Sequence, residues 1–161
     1  MRQSCMALLF LLASVLPLHA EKSSPRPTDQ PLEITSQRLE ADDRAQLVTF
    51  SGDVVARQAD LVIYAQKITV RYGGKDRRIE SITAEQDVRI VQGAKVATAQ
   101  YAALDQLKGE IVLTGDPEVH QGKDTVTGEK ITFFLDQDRS VISSSGESRV
   151  NAIFHPQTDG Q

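Results

Sequence analysis

The chain has no tryptophan, 5% aromatic residues and one cysteine, and that cysteine, Cys5, stands ahead of an apolar run near the N-terminus. The run extends from Met6 to Leu18, follows Arg2 and leads into His19-Ala20. A charge, an apolar stretch and a small residue in that order mark a secretory signal, with cleavage expected after Ala20. At about 13 residues the run is shorter than the ~20 a membrane-spanning helix requires. Removing residues 1–20 leaves 141 of the 161 residues and no thiol, which excludes disulfides, a cysteine nucleophile and thiolate metal sites together. No later segment is apolar enough to cross a membrane.

Histidine is nearly as scarce. Beyond the signal only His120 and His155 remain, the second in a tail of Pro, Gln and Gly, too few for a histidine metal cluster or a conventional serine triad. Carboxylates gather at Glu40, Asp42 and Asp43 and at Glu85 and Asp87. A glycosidase needs such pairs, but in a strand-rich chain they are ordinarily solvated turns. No catalytic residue, metal or cofactor is expected. A carbohydrate-binding module would want exposed aromatic platforms, which this composition does not supply. Basic excess is absent too: loss of Arg2 from 18 basic residues leaves 17 against 22 acidic ones, a net charge of −5, which argues against a nucleic-acid partner.

What the chain does have is repetition. AQKITV at 65–70 returns as GEKITF at 128–133, and the match extends without a gap from Phe50–Val70 over Leu113–Phe133. Gly52, Asp53, Gln58, Lys67, Ile68 and Thr69 all recur. A fainter copy runs from Gln86 to Gln100, with Gln86 in the place of the glycine, and half-copies flank the set at Ile34–Ala41 and Ser145–Ile153. Corresponding points lie 29, 34 and 29 residues apart, in the range where a sequence period means stacked structural units.

Each unit reads as strand. Gly-Asp or its equivalent suggests a tight turn, and alternating residues follow it, such as Val54 and Ala56 or Val88 and Ile90. The second half carries an apolar residue, a small residue two later, then apolar residues three and five positions beyond. This occurs at Ile34, Ser36, Leu39 and Ala41; at Ile63, Ala65, Ile68 and Val70; at Ala97, Ala99, Ala102 and Leu104; and at Val126, Gly128, Ile131 and Phe133. Strict alternation would turn the third member to the wrong face, so one residue is absorbed after the small one as a bulge or bend. Strands that all bend at one point fold a sheet over itself. An all-β sandwich or jelly roll of many short strands is expected, apolar within, with Gln58, Lys67, Thr69 and Gln121 outside.

Asp29-Gln30-Pro31-Leu32-Glu33-Ile34, followed by Phe50-Ser51-Gly52-Asp53-Val54-Val55, Leu113-Thr114-Gly115-Asp116 and Gly128-Glu129-Lys130-Ile131, resembles the OstA-like family of periplasmic lipopolysaccharide-transport proteins. The resemblance covers about Asp29 to Ile153. It implies an open β-jelly roll of antiparallel strands with a twisted, V-shaped section, which carries lipopolysaccharide across the periplasm without catalysis. The domain layout that follows is a signal at 1–20, a linker at 21–31, the jelly roll at 32–153 and a flexible tail at 154–161.

The physics of such a carrier suits these residues. Exposing an acyl chain of about a dozen methylenes to water costs on the order of 10 kcal/mol, which an apolar groove avoids. Leu32, Ile34, Phe50, Ile63, Ile68, Val70, Ile90, Leu113, Val126, Ile131 and Phe133 are the expected lining, although a closed core would use the same alternation. The half-copies at the ends leave terminal strands with unpaired backbone groups, which recruit further strands. Head-to-tail self-association is expected, or pairing with the inner- and outer-membrane jelly rolls that the resemblance implies, LptC-like and LptD-like. The one basic cluster, with Arg71, Lys75, Arg77 and Arg78 in a Gly-Gly hairpin, is a candidate contact for lipid A phosphates. Three other readings stay open on sequence alone. One is a membrane-anchored relative that keeps residues 1–20; another is a β-filament that stacks but carries no lipid. The third is an enzyme, for which no candidate residues stand out.

Overall fold

The computed structural model describes residues 30–135, 137 and 139–156. The expected signal, most of the linker and the end of the tail lie outside these residues. Twelve strands are present among them: β1 (Glu33–Thr35), β2 (Arg38–Asp42), β3 (Leu47–Gln58), β4 (Leu61–Gly73), β5 (Arg78–Gln92), β6 (Lys95–Asp105), β7 (Glu110–Thr114), β8 (Glu118–Gln121), β9 (Asp124–Thr127), β10 (Lys130–Phe134), β11 (Arg139–Ser143) and β12 (Asn151–Ile153). They form one open antiparallel sheet.

The sheet is folded into two walls. The first contains β1, residues 54–58 of β3, 61–65 of β4, 88–92 of β5 and 95–99 of β6, then β8, β9 and β12. The second contains β2, residues 47–51 of β3, 67–73 of β4, 78–85 of β5 and 101–105 of β6, then β7, β10 and β11. The four long central strands pass from one wall to the other.

They bend where the sequence pattern slips. Between β3 and β4 the pairing runs Ser51 with Lys67, then Val54 with Ala65, so Gly52-Asp53 oppose Gln66 alone. Between β5 and β6 it runs Glu85 with Tyr101, then Val88 with Ala99, so Gln86-Asp87 oppose Gln100. Gly115-Asp116 takes the same place between β7 and β8. Each of these pairs has two successive left-handed residues, with φ of 81° and 45°, 66° and 52°, and 77° and 52°. Glycine enters that region freely and aspartate more readily than most residues. The amides of Gln37 and Gln100 donate to the carbonyls of Gly52 and Gly115, each at 3.0 Å, and so close equivalent corners 63 positions apart.

The expected bend is therefore present, but Gly52-Asp53 and Gln86-Asp87 are bulges inside strands, not turns between short ones. The chain keeps its direction because ladder pairing resumes within two residues. In consequence β3 to β6 run to 12, 13, 15 and 11 residues.

Chain reversals occur at the two outer rims. Two-residue links, 59–60, 93–94 and 122–123, close the rim of the first wall, and four-residue links, 43–46, 74–77 and 106–109, close that of the second. Asp42 and Asp105, again 63 apart, start two of the longer links. Each Oδ1 accepts two backbone amides, from Arg44 and Ala45 at 2.9 and 3.0 Å and from Leu107 and Lys108 at 3.0 and 3.1 Å, the local bonding that favours Asp at turns.

The core lies between the walls. Val54, Ala65, Ala84, Val88, Ala99 and Ala102 pack at the corner with Ile68, Leu113 and Ile131, and these last three have no accessible surface. Alanines let the two walls approach where the sheet bends, and the larger side chains fill the widening space away from it. No buried side-chain polar atom lacks a partner among the described residues.

Candidate functional site

Toward the C-terminal end the walls part around a cavity of about 410 Å³, within the ~300–1,000 Å³ typical of ligand sites. Ile90, Ala97, Val119 and Val126 line it from the first wall, and Leu104, Ile111, Ile131, Phe133 and Ile142 from the second. The space is left because the last strands bring little bulk. Ala152 stands opposite Val126, and Ser140 opposite Phe133. Phe154, 71% exposed, and Leu135, 43% exposed, lie at the margin. Arg139, also on the cavity wall, stacks 3.9 Å from the Phe134 ring centroid.

The expected lining residues fall into three groups. Ile90, Val126, Ile131 and Phe133 face this cavity. Ile63, Ile68, Val70 and Leu113 are buried in the core, and Leu32, Ile34 and Phe50 pack partly buried against it. The remaining apolar lining, notably Val119, Leu104, Ile111 and Ile142, was not among the expected lining residues, although Leu104 belongs to the repeated motif and the same alternation carries the others. Gln58 and Gln121 correct an expectation: assigned outside for their polarity, they line the cavity. The strand period places them inside, as Gln58 follows Val54 and Ala56 at steps of two and Gln121 follows Val119.

The basic cluster occupies a different rim. Arg71, Lys75, Arg77 and Arg78 lie at the β4–β5 hairpin, and none of them lines the cavity. Arg77 is engaged locally: its guanidinium donates to the Tyr72 hydroxyl at 2.7 Å and lies 3.1 Å from Asp43. Tyr72 O–H donates to Asp43 at 2.8 Å. That hydrogen bond and the neighbouring cation hold the Asp43 carboxyl below its ordinary range, and the same bond raises the Tyr72 phenol. Arg78 lies 4.0 Å from Asp76.

Four of the five carboxylates considered for acid–base chemistry, Glu40, Asp42, Asp43 and Glu85, have structural partners. Asp42 caps a turn, Asp43 meets Tyr72 and Arg77, and Glu85 pairs across the sheet with Lys67 at 3.1 Å. His120 sits between Glu118 (3.1 Å) and Thr125 (3.0 Å), while His155 is tied to Asp124, its backbone N–H donating at 2.8 Å. Among the described residues no three His, Cys, Asp or Glu side chains gather as metal ligands.

An unclosed, bent sheet with an apolar cavity between its walls has relatives. The lipopolysaccharide export system protein LptA of Escherichia coli strain K12 is 27% identical over 156 residues, covering 91% of this chain and 80% of the relative. That of Haemophilus influenzae is 26% identical over 158 residues, covering 92% and 91%. The crystal structure of LptH, the periplasmic LptA-homologous component of the lipopolysaccharide transport device of Pseudomonas aeruginosa, superposes with a TM-score of 0.74 at 19% identity, covering 82% of this chain and all of that one. It is a likeness of fold. The family model described as LptA/(LptD N-terminal domain) LPS transport protein matches residues 33–139, which span both walls from β1 to the start of β11. The chain thus belongs to the LptA/LptD N-terminal-domain family of lipopolysaccharide transport proteins.

Proposed function

We propose that this protein is a non-enzymatic periplasmic carrier that holds the acyl chains of lipopolysaccharide between its two walls and passes the molecule from the inner toward the outer membrane. One observation carries the reading: the apolar interior of an unclosed sheet, sealed at the corner, opens toward one end into a cavity lined by aliphatic and aromatic side chains. Burying a dozen methylenes there offsets on the order of 10 kcal/mol of exposure to water. Val126 and Phe133, both half-buried, touch the chain first, with Ile90 and the buried Ile131 behind them. The other expected lining residues, Leu32, Ile34, Phe50, Ile63, Ile68, Val70 and Leu113, form the apolar interior continuous with it.

The ends of the sheet support a bridge built from several domains. Among the described residues β1 and β2 each pair only with β3, β11 only with β10, and β12 only with β9. Four edge strands are thus unpaired on one side, two at each end. Leu39 on β2 is 57% exposed and Ile153 on β12 is 53% exposed. Such edges suit strand addition, with a second copy head to tail or with LptC-like and LptD-like jelly rolls at the two membranes. Delivery to the periplasm would use the signal at residues 1–20.

Binding of purified lipopolysaccharide to the mature chain tests the carrier reading. Val126→Asp and Phe133→Asp place a charge in the cavity and should abolish binding, while Thr132→Asp, on the outer face, should leave it intact. Equal binding by all three variants would remove the cavity from the account.

A further inference from the structure

At the free rim of the first wall, six residues stand directly opposite one another across successive strands: Gln58 with Leu61, Leu61 with Gln92, Gln92 with Lys95, Lys95 with Gln121, and Gln121 with Asp124. All six line the cavity. They continue inner-face rows that are apolar nearer the corner, so the lining changes from apolar to polar at one level on every strand of the row except β4, where Leu61 keeps it apolar. Gln92, Lys95 and Gln121 are exposed and Gln58 and Asp124 half-buried, so these polar groups keep contact with water at the mouth of the cavity while the rows behind them are apolar.

Much of the row's bonding capacity is uncommitted. Lys95 makes no ion pair, and Gln121 no side-chain hydrogen bond, among the described residues. Gln58 donates its amide to the Gln30 carbonyl at 2.8 Å, which leaves its oxygen available. Asp124, the one carboxylate in the row, accepts from the His155 backbone N–H at 2.8 Å, and the His155 ring lies 3.5 Å away. The row therefore presents one ammonium with amides on either side, directly above apolar lining.

An amphiphile has the matching profile, with acyl chains meeting a sugar that carries hydroxyls and phosphate. Resting on the carrier reading above, we propose that this row is a headgroup-recognition strip, in which Lys95 meets a phosphate of the acylated sugar and Gln92 and Gln121 bond its hydroxyls. Lysine acts here as a compact point charge with three rotatable donors, suited to a phosphate whose position shifts as the cargo moves. The hairpin arginines stand on the other rim, where Arg77 is already committed to Asp43 and Tyr72.

The test compares bisphosphorylated lipid A with its dephosphorylated counterpart, both titrated against the purified mature chain. Lys95→Glu should weaken the bisphosphorylated lipid on the order of tenfold, the scale of reversing one exposed charge pair. It should change the dephosphorylated lipid by less than about twofold. Lys95→Arg should stay close to wild type, and Arg78→Glu should leave both affinities unchanged. A Lys95→Glu variant that binds both lipids as wild type does, or loses both equally, overturns the strip while the cavity stands. Phosphate-dependent loss in Arg78→Glu instead moves the headgroup to the other rim and overturns it too. If the wild-type chain binds neither lipid, the carrier reading itself fails.

Discussion

Residues 63–70 and 126–133 are copies of one motif with different fates. In the central copy Ile63, Ala65, Ile68 and Val70 are all buried, and Ile68 has no accessible surface. In the C-terminal copy only Ile131 is buried to that degree, while Val126 and Phe133 are half-buried and face the cavity. The difference lies in the neighbours. β4 is flanked along its length by β3 and β5, whereas β9 and β10 stand next to the short end strands β12 and β11. A repeat thus supplies the same inner face everywhere, and its place in the stack decides whether that face becomes packed core or binding surface.

Truncating the two copies should separate these roles most sharply. Ile68→Ala opens a void in a packed interior and should cost about 3–4 kcal/mol in urea unfolding. Phe133→Ala widens a space that already exists and should cost roughly half as much, with its main effect on lipid binding. Equal losses of stability would mean that the C-terminal copy is core as well.

The corners offer a second, smaller contrast. A Cβ at Gly52 would fall 2.6 Å from Gln37 Oε1 on a backbone with φ of +81°, so Gly52→Ala should destabilise by about 1–2 kcal/mol. Gln86 holds the equivalent conformation, at +66°, with a side chain. Gln86→Gly should relieve that strain and raise the denaturation midpoint slightly, the opposite sign at the same structural position.

The smallest effect concerns the rim links. Asp43, bonded to Tyr72 and facing Arg77, has no counterpart at the equivalent Gln106. Its carboxyl titrates lower in the folded chain than in the unfolded one, so its contribution is present above about pH 4 and fades as pH falls through the folded value. Asp43→Asn should therefore unfold at lower urea than wild type at pH 7, and the gap should close toward pH 3.

Much of this architecture was legible in the chain. The 29- and 34-residue spacings located the units, and the slip in alternation after Ala65 and Ala99 located the bend, because a change of face along a strand has few physical solutions. Whether Gly52-Asp53 reversed the chain or only bent it was not legible, since two left-handed residues serve both purposes and the ladder beyond them decides. Gln58 and Gln121 were misplaced when polarity was allowed to override period. The cavity was the least accessible feature. It depends on the small inner residues Ala152 and Ser140 of the end strands, which carry no signal until their partners across the sheet are known.

The central claim, that lipid lies between the walls at the C-terminal end, is tested most directly by photo-crosslinking in cells that make lipopolysaccharide. A photoreactive residue is placed in turn at Val126, Phe133 and the outward-facing Thr132, and the protein is probed for lipopolysaccharide adducts. Adducts at Val126 and Phe133 with none at Thr132 are the expected result. Adducts at Thr132 as strong as those at the cavity positions, or none at any position in exported and folded protein, would contradict the account.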